Sequence, residues 1–294
     1  MKKIDFFIVG AAKSGTTALY EILKEHSEVF LPNFKEPHYF ANDLEKYKAH
    51  DNPTEYFSMY NGNEDKIWGD ASIFNMYSDV AIANIMKHNS NAKIIIMLRK
   101  QLATIPSIHS QLLFTQDETE NNIENAWDLT ERRRTGIKIP KSCKCPKILD
   151  YKRIFKYSYQ IDRIKSLVSE ENLHIILHDD FVNNPDNELR KIEKFLYIKE
   201  NQLVNKISNE NEVNIIPFIS RVLRHPPSSI KKIKRLLIGR RGKTIYKKIL
   251  SLNSIVKKRE QTTISMKNKI LDEYISDIEK LELIINRDLT MWKR

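Results

Sequence analysis

Ile4-Asp-Phe-Phe-Ile-Val-Gly-Ala-Ala-Lys-Ser-Gly-Thr-Thr-Ala-Leu19 stands near the start of the chain and joins an apolar run to a small-residue loop. The run over 4–10 ends in glycine and predicts a short buried strand. The amphipathic segment 16–26 predicts a helix. A loop between a strand and a helix N-terminus offers backbone N–H groups and the helix dipole to an anion. This stretch therefore predicts an α/β fold with a phosphate-binding loop at 10–17.

The rest of the chain repeats the alternation of strand and helix. Further β-prone runs lie at 29–31, 93–98 and 173–178, and helical stretches at 78–88, 101–113, 151–168 and 186–196. Such alternation predicts a three-layer P-loop-like fold, with a central, mostly parallel sheet flanked by helices and ligands at the carboxyl ends of its strands. We expect a single domain over 1–294, in which 1–213 form the α/β core with the ligand site and 214–294 form a basic helical extension packed on it.

The lysine of the loop is displaced from the position that a nucleotide triphosphatase requires. In those loops lysine directly follows the second glycine and reaches the β- and γ-phosphates. Here Thr16 has that position, and Lys13 lies inside the loop. The pattern indicates a ligand with a single 5′-phosphate and a further group bonded to it. A glycine-containing turn with a chance lysine is the structural alternative.

Five segments, in the correct order along most of the chain, resemble motifs of one enzyme family. They are Lys13-Ser-Gly-Thr-Thr-Ala-Leu19, Lys35-Glu-Pro-His-Tyr-Phe40, Arg99 with Ser107, His178-Asp-Asp-Phe-Val-Asn-Asn-Pro185 through Leu196, and Asn286-Arg-Asp-Leu-Thr-Met-Trp292. The family comprises the sulfotransferases that use PAPS (3′-phosphoadenosine-5′-phosphosulfate). The resemblance is closest to the heparan-type carbohydrate sulfotransferases and their bacterial relatives. It implies sulfuryl transfer, with PAPS as co-substrate and adenosine 3′,5′-bisphosphate (PAP) as product.

The resemblance also implies roles for individual residues. Lys13 would neutralise the bridging oxygen of the donor as the sulfuryl group leaves. Ser14, Gly15, Thr16 and Thr17 would hold the 5′-phosphate. Arg99 and Ser107 would hold the 3′-phosphate, which would select PAPS over ATP. Because the phosphate leaving group is already a good one, we expect no metal at the site.

Glu36 corresponds to the catalytic glutamate of the family and would take a proton from the attacking acceptor. His38 shares a face with Glu36 if the segment is extended, so it would orient the acceptor or act as the base itself. The alternative is that 35–38 form a polar surface loop. One departure is Ala71 in Gly69-Asp-Ala-Ser72. The heparan-type members usually carry a lysine there, so a second catalytic lysine is in doubt, while Asp70 and Ser72 would still line the site.

Composition excludes several other classes of protein. The chain has 294 residues, 41% of them hydrophobic and 30% charged, which excludes a disordered or fibrous protein. Cys143 and Cys145 form a C-x-C pair without the partners of a zinc site. The apolar run near the N-terminus is too short for a signal peptide, and no stretch approaches the length of a membrane span. These patterns predict a reduced, cytoplasmic protein.

The positive charge is concentrated in one segment. The net charge is +11, and residues 221–259 contain 14 Lys and Arg with no Asp or Glu. Three interpretations are open: a solvated helical face, attraction of a polyanionic or lipid-linked acceptor, or peripheral contact with a membrane or nucleic acid. We do not expect nucleic acid as the partner.

The preferred hypothesis is a PAPS-dependent sulfotransferase that acts on a hydroxyl or amine of a carbohydrate, such as a polysaccharide, glycolipid or precursor. The alternatives are a P-loop small-molecule kinase and a non-enzymatic basic protein that binds anions or membranes. Thr16 argues against the kinase. A basic adaptor would have no need of Lys13, Glu36, Arg99 and Ser107 around sheet ends.

Overall fold

A computed structural model describes residues 2–200, 202–203, 212–214, 254–256 and 261–294 of the chain. The chain divides into two compact units. The first comprises Met1–Thr104, Lys152–Ser208 and Asn268–Arg294, and the second comprises Ile105–Tyr151 and Asn209–Lys267.

The first unit is built on a parallel sheet of five strands. These are β1 (Phe6–Gly10), β2 (Val29–Phe30), β3 (Ile67–Ala71), β4 (Lys93–Leu98) and β5 (Leu173–Leu177), in the order β2-β3-β1-β4-β5. All four pairings are parallel. The central strands β1 and β4 are apolar and almost entirely buried, as expected for strands covered on both faces.

The strands alternate along the chain with helices. They are α1 (Thr16–Lys24), α2 (Pro53–Ser58), α3 (Ala81–His88), α4 (Gln101–Thr115), α5 (Ile123–Asp128), α6 (Thr130–Arg134), α7 (Tyr157–Lys165), α8 (His178–Asn183), α9 (Pro185–Leu196) and α10 (Ile264–Ile285). Short 3₁₀ helices lie at Asn42–Tyr47, Pro146–Leu149, Glu170–Asn172 and Thr290–Trp292. The helices α1 and α9 pack their apolar faces on the sheet and close one core cluster.

The second unit contains a buried ion pair. Arg133 of α6 donates two hydrogen bonds to the carboxylate of Glu118, at 2.6 and 2.7 Å. The Tyr151 hydroxyl donates to the same carboxylate at 2.9 Å. The unit also contains a short antiparallel pair, β6 (Glu212–Asn214) with β7 (Ser254–Val256).

The predicted fold class is confirmed, with a central parallel sheet flanked by helices. The strand at 93–98 matches β4. The helix predicted over 151–168 is wrong at its start, because 151–155 form turns and α7 begins at Tyr157. The strand β3 was not predicted. Apart from β7, the basic segment 221–259 lies outside the described residues. In the part of the chain that the structure describes, no helix has the length and apolar character needed to cross a membrane.

Candidate active site

Three neighbouring strands end at the same edge of the sheet. The loop of residues 11–15 follows β1, Arg99 follows β4, and His178 follows β5. Because the strands are parallel and lie in the order β1-β4-β5, these residues meet at their carboxyl ends. The backbone thus brings the loop and Arg99 to the same edge of the sheet, and the donor-binding roles of both stay predictions.

Gly15 shapes the loop. Its φ of 95° lies in the left-handed region, and a Cβ there would lie 3.1 Å from Cδ2 of His178. Only glycine fits both constraints without strain. The preceding side chain, Ser14, is fully buried, and its Oγ has no hydrogen-bond partner among the described residues. A fully buried hydroxyl with unused bonding capacity beside a helix N-terminus fits a loop that binds an anion.

The other loop residues differ in exposure. Thr16 is buried and Thr17 is exposed in the first turn of α1, while Lys13 is half-buried. The half-buried Arg99 donates from Nη1 to the Lys13 carbonyl oxygen at 3.5 Å. The loop and the arginine after β4 are thus in direct contact, which brings two cations to one edge of the sheet.

His178 is a residue of this edge that the sequence analysis quoted only as part of a motif. Its ring lies against Gly15, as the Cβ distance shows. Burial and then the positive charge of Arg99 lower the pKa of His178, although Asp179 opposes them. The ring is therefore neutral at pH 7 and available as a hydrogen-bond partner beside the loop.

The segment 35–38 is hydrogen-bonded to residues at the end of β3, which neighbours β1 on the side away from β4. The Glu36 amide donates to the Ala71 carbonyl at 3.0 Å, and the His38 amide donates to Ser72 Oγ at 3.0 Å. Since β3 pairs directly with β1, the predicted base segment lies one strand away from the loop of Lys13. The polar-surface-loop alternative is not favoured, because His38 is buried.

Glu36 is paired on both of its oxygens. Lys35 Nζ binds Oε1, and His38 Nε2 lies 3.8 Å from Oε2. Burial by itself would raise the pKa of Glu36, but the charge of Lys35 and the nearby His38 imidazole outweigh burial and lower the pKa to about 2. The carboxylate is therefore ionised at every ordinary pH, and its side chain is 29% exposed.

His38 is buried among aromatic rings. Its side chain is 3% exposed and packs against the rings of Tyr47 and Phe74, which also contact each other, so Glu36 is the more accessible of the two predicted bases. Behind it lies Asp70, which accepts a hydrogen bond from the Tyr56 hydroxyl at 2.7 Å. Burial raises the pKa of Asp70, against the opposing effects of the Ser72 and Tyr56 hydrogen bonds and the nearby His38 and Lys35.

Backbone conformation singles out the same residues. Positive φ in non-glycine residues is uncommon and tends to occur at functional sites. Within the described residues it occurs at seven non-glycine positions, and three of them are Lys13 (61°), Glu36 (62°) and His38 (51°). These are the three residues that the sequence analysis predicted as catalytic.

The sequence profile described as a sulfotransferase domain matches residues 3–214. The chain belongs to the sulfotransferase family. Membership supports sulfuryl transfer as its chemistry and does not favour the kinase or adaptor alternatives. No curated protein sequence matches the chain significantly.

The chain is similar to solved sulfotransferases at low sequence identity, and the first of those named here shares its fold. A sulfotransferase from Alicyclobacillus acidocaldarius is 19% identical, with a TM-score of 0.72 over 100% of both chains. The sulfotransferase domain of the curacin biosynthetic pathway is 14% identical, with a TM-score of 0.49 over 71% of this chain and 79% of its own. Mouse sulfotransferase SULT7A1, solved with PAP, is 15% identical, with a TM-score of 0.44 over 68% of this chain and 61% of its own.

Several residues of this sulfotransferase remain predictions or were missed. Ser107 is buried in α4 and lies in the second compact unit, so its part in donor binding stays a prediction. The sequence analysis did not assign a role to His178 or Lys35, although both stand inside motifs that it quoted. For His178 a signal existed, because it directly follows a buried strand. Among the described residues, no cluster of three or more His, Cys, Asp or Glu side chains is arranged to hold a metal ion.

Proposed function

We propose that this sulfotransferase transfers a sulfuryl group from PAPS to a hydroxyl or amine of a carbohydrate acceptor. One observation carries the proposal. The loop of Lys13 lies at the end of β1, with Arg99 at the end of the neighbouring β4 and Glu36 bonded to the end of the neighbouring β3. Arg99, which is suited to binding the donor, and Glu36, which is suited to activating the acceptor, therefore follow or contact the strands on either side of the strand that leads to Lys13.

On the donor side, the residues fit a nucleotide with separate 5′- and 3′-phosphates. The amides of the loop, the Ser14 hydroxyl and Thr17 would bind the 5′-phosphate at the N-terminus of α1. The guanidinium of Arg99 would bind the 3′-phosphate through two parallel hydrogen bonds. The neutral His178 ring beside Gly15 would complete the wall of the nucleotide site.

The proposed reaction is an in-line displacement at sulfur. The acceptor oxygen or nitrogen forms a bond to sulfur, while the bond between sulfur and the bridging oxygen of the 5′-phosphosulfate breaks. The electron pair of that bond stays on the leaving PAP. Lys13 would stabilise the negative charge that develops on the bridging oxygen. As in phosphoryl transfer, positioning and charge stabilisation supply most of the catalysis.

The acceptor proton would go first to Glu36. With a pKa of about 2, this carboxylate is always ionised, yet it holds a proton only weakly at neutral pH. The imidazole of His38, 3.8 Å away, is in place to receive the proton from it. In this arrangement Glu36 faces the acceptor, and His38 acts behind it.

A carbohydrate acceptor is supported by the residues around Glu36. Phe34, two residues earlier, is 51% exposed, and its ring packs edge-on against His50 at 5.6 Å. An exposed aromatic face offers an apolar surface to the C–H face of a sugar ring. The resemblance of the motifs to heparan-type enzymes favours the same class, including anionic glycans and glycolipids.

The test is calorimetric titration with PAP and with ADP, which differ chiefly in the position of the second phosphate. We expect wild type to bind PAP and to discriminate against ADP. Arg99→Ala should weaken PAP binding about 10- to 100-fold, as expected for the loss of hydrogen bonds to a charged group. Arg153→Ala is the matched control, since this arginine pairs with Asp79 at the surface.

Two outcomes would contradict the proposal. Preference for ADP, or no binding of either nucleotide, would exclude PAPS as donor. If PAP binds, ³⁵S-labelled PAPS can be used to test polysaccharides, glycolipids and small alcohols as acceptors. Transfer only to non-carbohydrate acceptors would overturn the acceptor class while leaving the donor assignment intact. We expect transfer to continue in the presence of a chelator.

A further inference from the structure

A buried hydrogen-bond network joins the last helix of the chain to the donor side of the site. The carboxylate of Asp277 in α10 accepts from the amide of Tyr157 at 2.9 Å and from the amide of Ser158 at 3.2 Å. It also accepts from the Ser158 hydroxyl at 2.6 Å. Asp277 is 6% exposed and lies outside the residues matched by the family profile.

Asp277 takes the place of a local helix cap. The residue before α7, Lys156, makes no capping hydrogen bond with its side chain. The first amides of a helix need acceptors, and a carboxylate at this end also interacts favourably with the helix dipole. A residue 120 positions further along the chain therefore fixes the start of α7 and, with it, the backbone of Tyr157.

The side chain of Tyr157 links the start of α7 to the residues proposed to bind the donor. Its side chain is fully buried, and its hydroxyl donates to the Arg99 carbonyl at 3.0 Å. The hydroxyls of Ser14 and Thr104 lie beside the phenol oxygen, although Ser14 Oγ forms no hydrogen bond of ordinary geometry. One phenol thus lies against both the residue proposed for the 3′-phosphate and a residue of the 5′-phosphate loop.

The end of the chain supports the neighbouring helix as well. Trp292 packs edge-on against the Tyr157 ring at 6.2 Å, and its Nε1 donates to Asp179 at 3.3 Å. Arg287 binds Asp180 at 2.6 Å. Asp179 and Asp180 lie in the first turn of α8, which begins at His178. The contacts of the C-terminal residues therefore reach the elements that follow β4 and β5.

We propose that Tyr157 is a positioning residue of the sulfate-donor site and that Asp277 holds it in place, so that the C-terminal helix is part of the donor-binding machinery. The inference rests on the proposed use of PAPS. Tyr157 does not itself touch the donor; it fixes the backbone of Arg99 and limits the freedom of Ser14. Without the Tyr157 hydroxyl, Arg99 and Ser14 lose the one buried group that lies against both of them.

The principal test compares Tyr157→Phe with Tyr60→Phe by calorimetric titration with PAP and by thermal unfolding. Tyr60 is the matched control, because it is a fully buried phenol that donates to the Gly69 carbonyl at 3.1 Å. We expect Tyr157→Phe to raise the Kd of PAP about three- to tenfold, the range expected for one hydrogen bond. Tyr60→Phe should lower the melting temperature comparably and leave the Kd within about twofold.

A double-mutant cycle separates positioning from general stability. If Tyr157 acts in part through Arg99, Tyr157→Phe should weaken PAP binding by a smaller factor in the Arg99→Ala background than in wild type. Asp277→Asn should weaken PAP binding in the same direction. The same substitution at Asp272, an exposed residue of the same helix, should not.

The outcomes distinguish this inference from the proposed function. If wild type binds PAP and Tyr157→Phe binds it equally well, the positioning role is wrong and the proposed function stands. Full additivity of Tyr157→Phe and Arg99→Ala also overturns it, because the two residues then act independently. Failure of wild type to bind PAP overturns both.

Discussion

Substitution of Lys35 by methionine tests the electrostatics of the proposed base directly. The side chain of Lys35 is 17% exposed and its ammonium binds Glu36, whose pKa is about 2. An opposite charge in direct contact with a carboxylate lowers the pKa of that carboxyl group by about 1–3 units. In Lys35→Met, burial still raises the pKa and only His38 still lowers it, so we expect a value between about 3 and 5.

The assay is a ¹³C NMR titration of protein labelled at the glutamate carboxyl carbon. The Glu36 resonance is assigned by its absence in Glu36→Gln. In wild type it should stay in the ionised position down to about pH 3, because a group protonates only near its pKa. In Lys35→Met it should titrate at higher pH, and the pH–rate profile should gain an acidic limb at the same position.

A matched control is Lys48→Met, since Lys48 is another largely buried lysine of the same region, paired with Asp51 at 3.5 Å. It should leave the Glu36 titration unchanged. The electrostatic argument fails if Glu36 titrates near 4.5 in wild type. It also fails if Lys35→Met leaves the carboxylate ionised at pH 3, since His38 alone would then account for the low pKa.

Three further predictions concern the base, the loop and the second unit. Glu36→Gln should lose most of its turnover and bind PAP like wild type; near-normal turnover would exclude Glu36 as the base. Gly15→Ala should weaken PAP binding at least about tenfold, because the new Cβ meets His178 in a strained backbone. Gly62→Ala, which has a positive φ but open space around it, is the control, and equal effects would refute a specific role of the loop. Arg133→Met should destabilise the chain to denaturant by about 3–5 kcal/mol, because it leaves the Glu118 carboxylate buried without its partner; no change would show that the pair contributes little.

The stretches that could be predicted from sequence are those whose structure is decided locally. The apolar run of β4 and the glycine-ended run of β1 correspond to strands because strands buried on both faces are continuously apolar. The loop after β1 could also be predicted locally, because its small residues stand between a predicted strand and a predicted helix. Arg99 and Glu36 were singled out by motifs, and their parts in donor binding and catalysis stay predictions.

The missed elements depend on residues far apart in the chain. The strand β3 contains Gly69 and Asp70 and does not have an apolar pattern. A Cβ at Gly69 would lie 2.2 Å from the Phe6 ring, so glycine is required for close packing against β1. Asp70 is tolerated because the Tyr56 hydroxyl binds it. The start of α7 could not be predicted either, because its cap is Asp277.

The order of the strands has a consequence for how such an enzyme can change during evolution. The groups proposed to bind the donor follow β1 and β4, whereas the proposed base is attached to the end of β3, and the segment that contains it follows β2. Insertions and substitutions after β2 and β3 can therefore alter the accepted substrate without disturbing the nucleotide site. In the proposed arrangement the residues that set the acceptor and those that bind the donor lie on different loops. New acceptors can therefore be acquired while the sulfate donor stays the same.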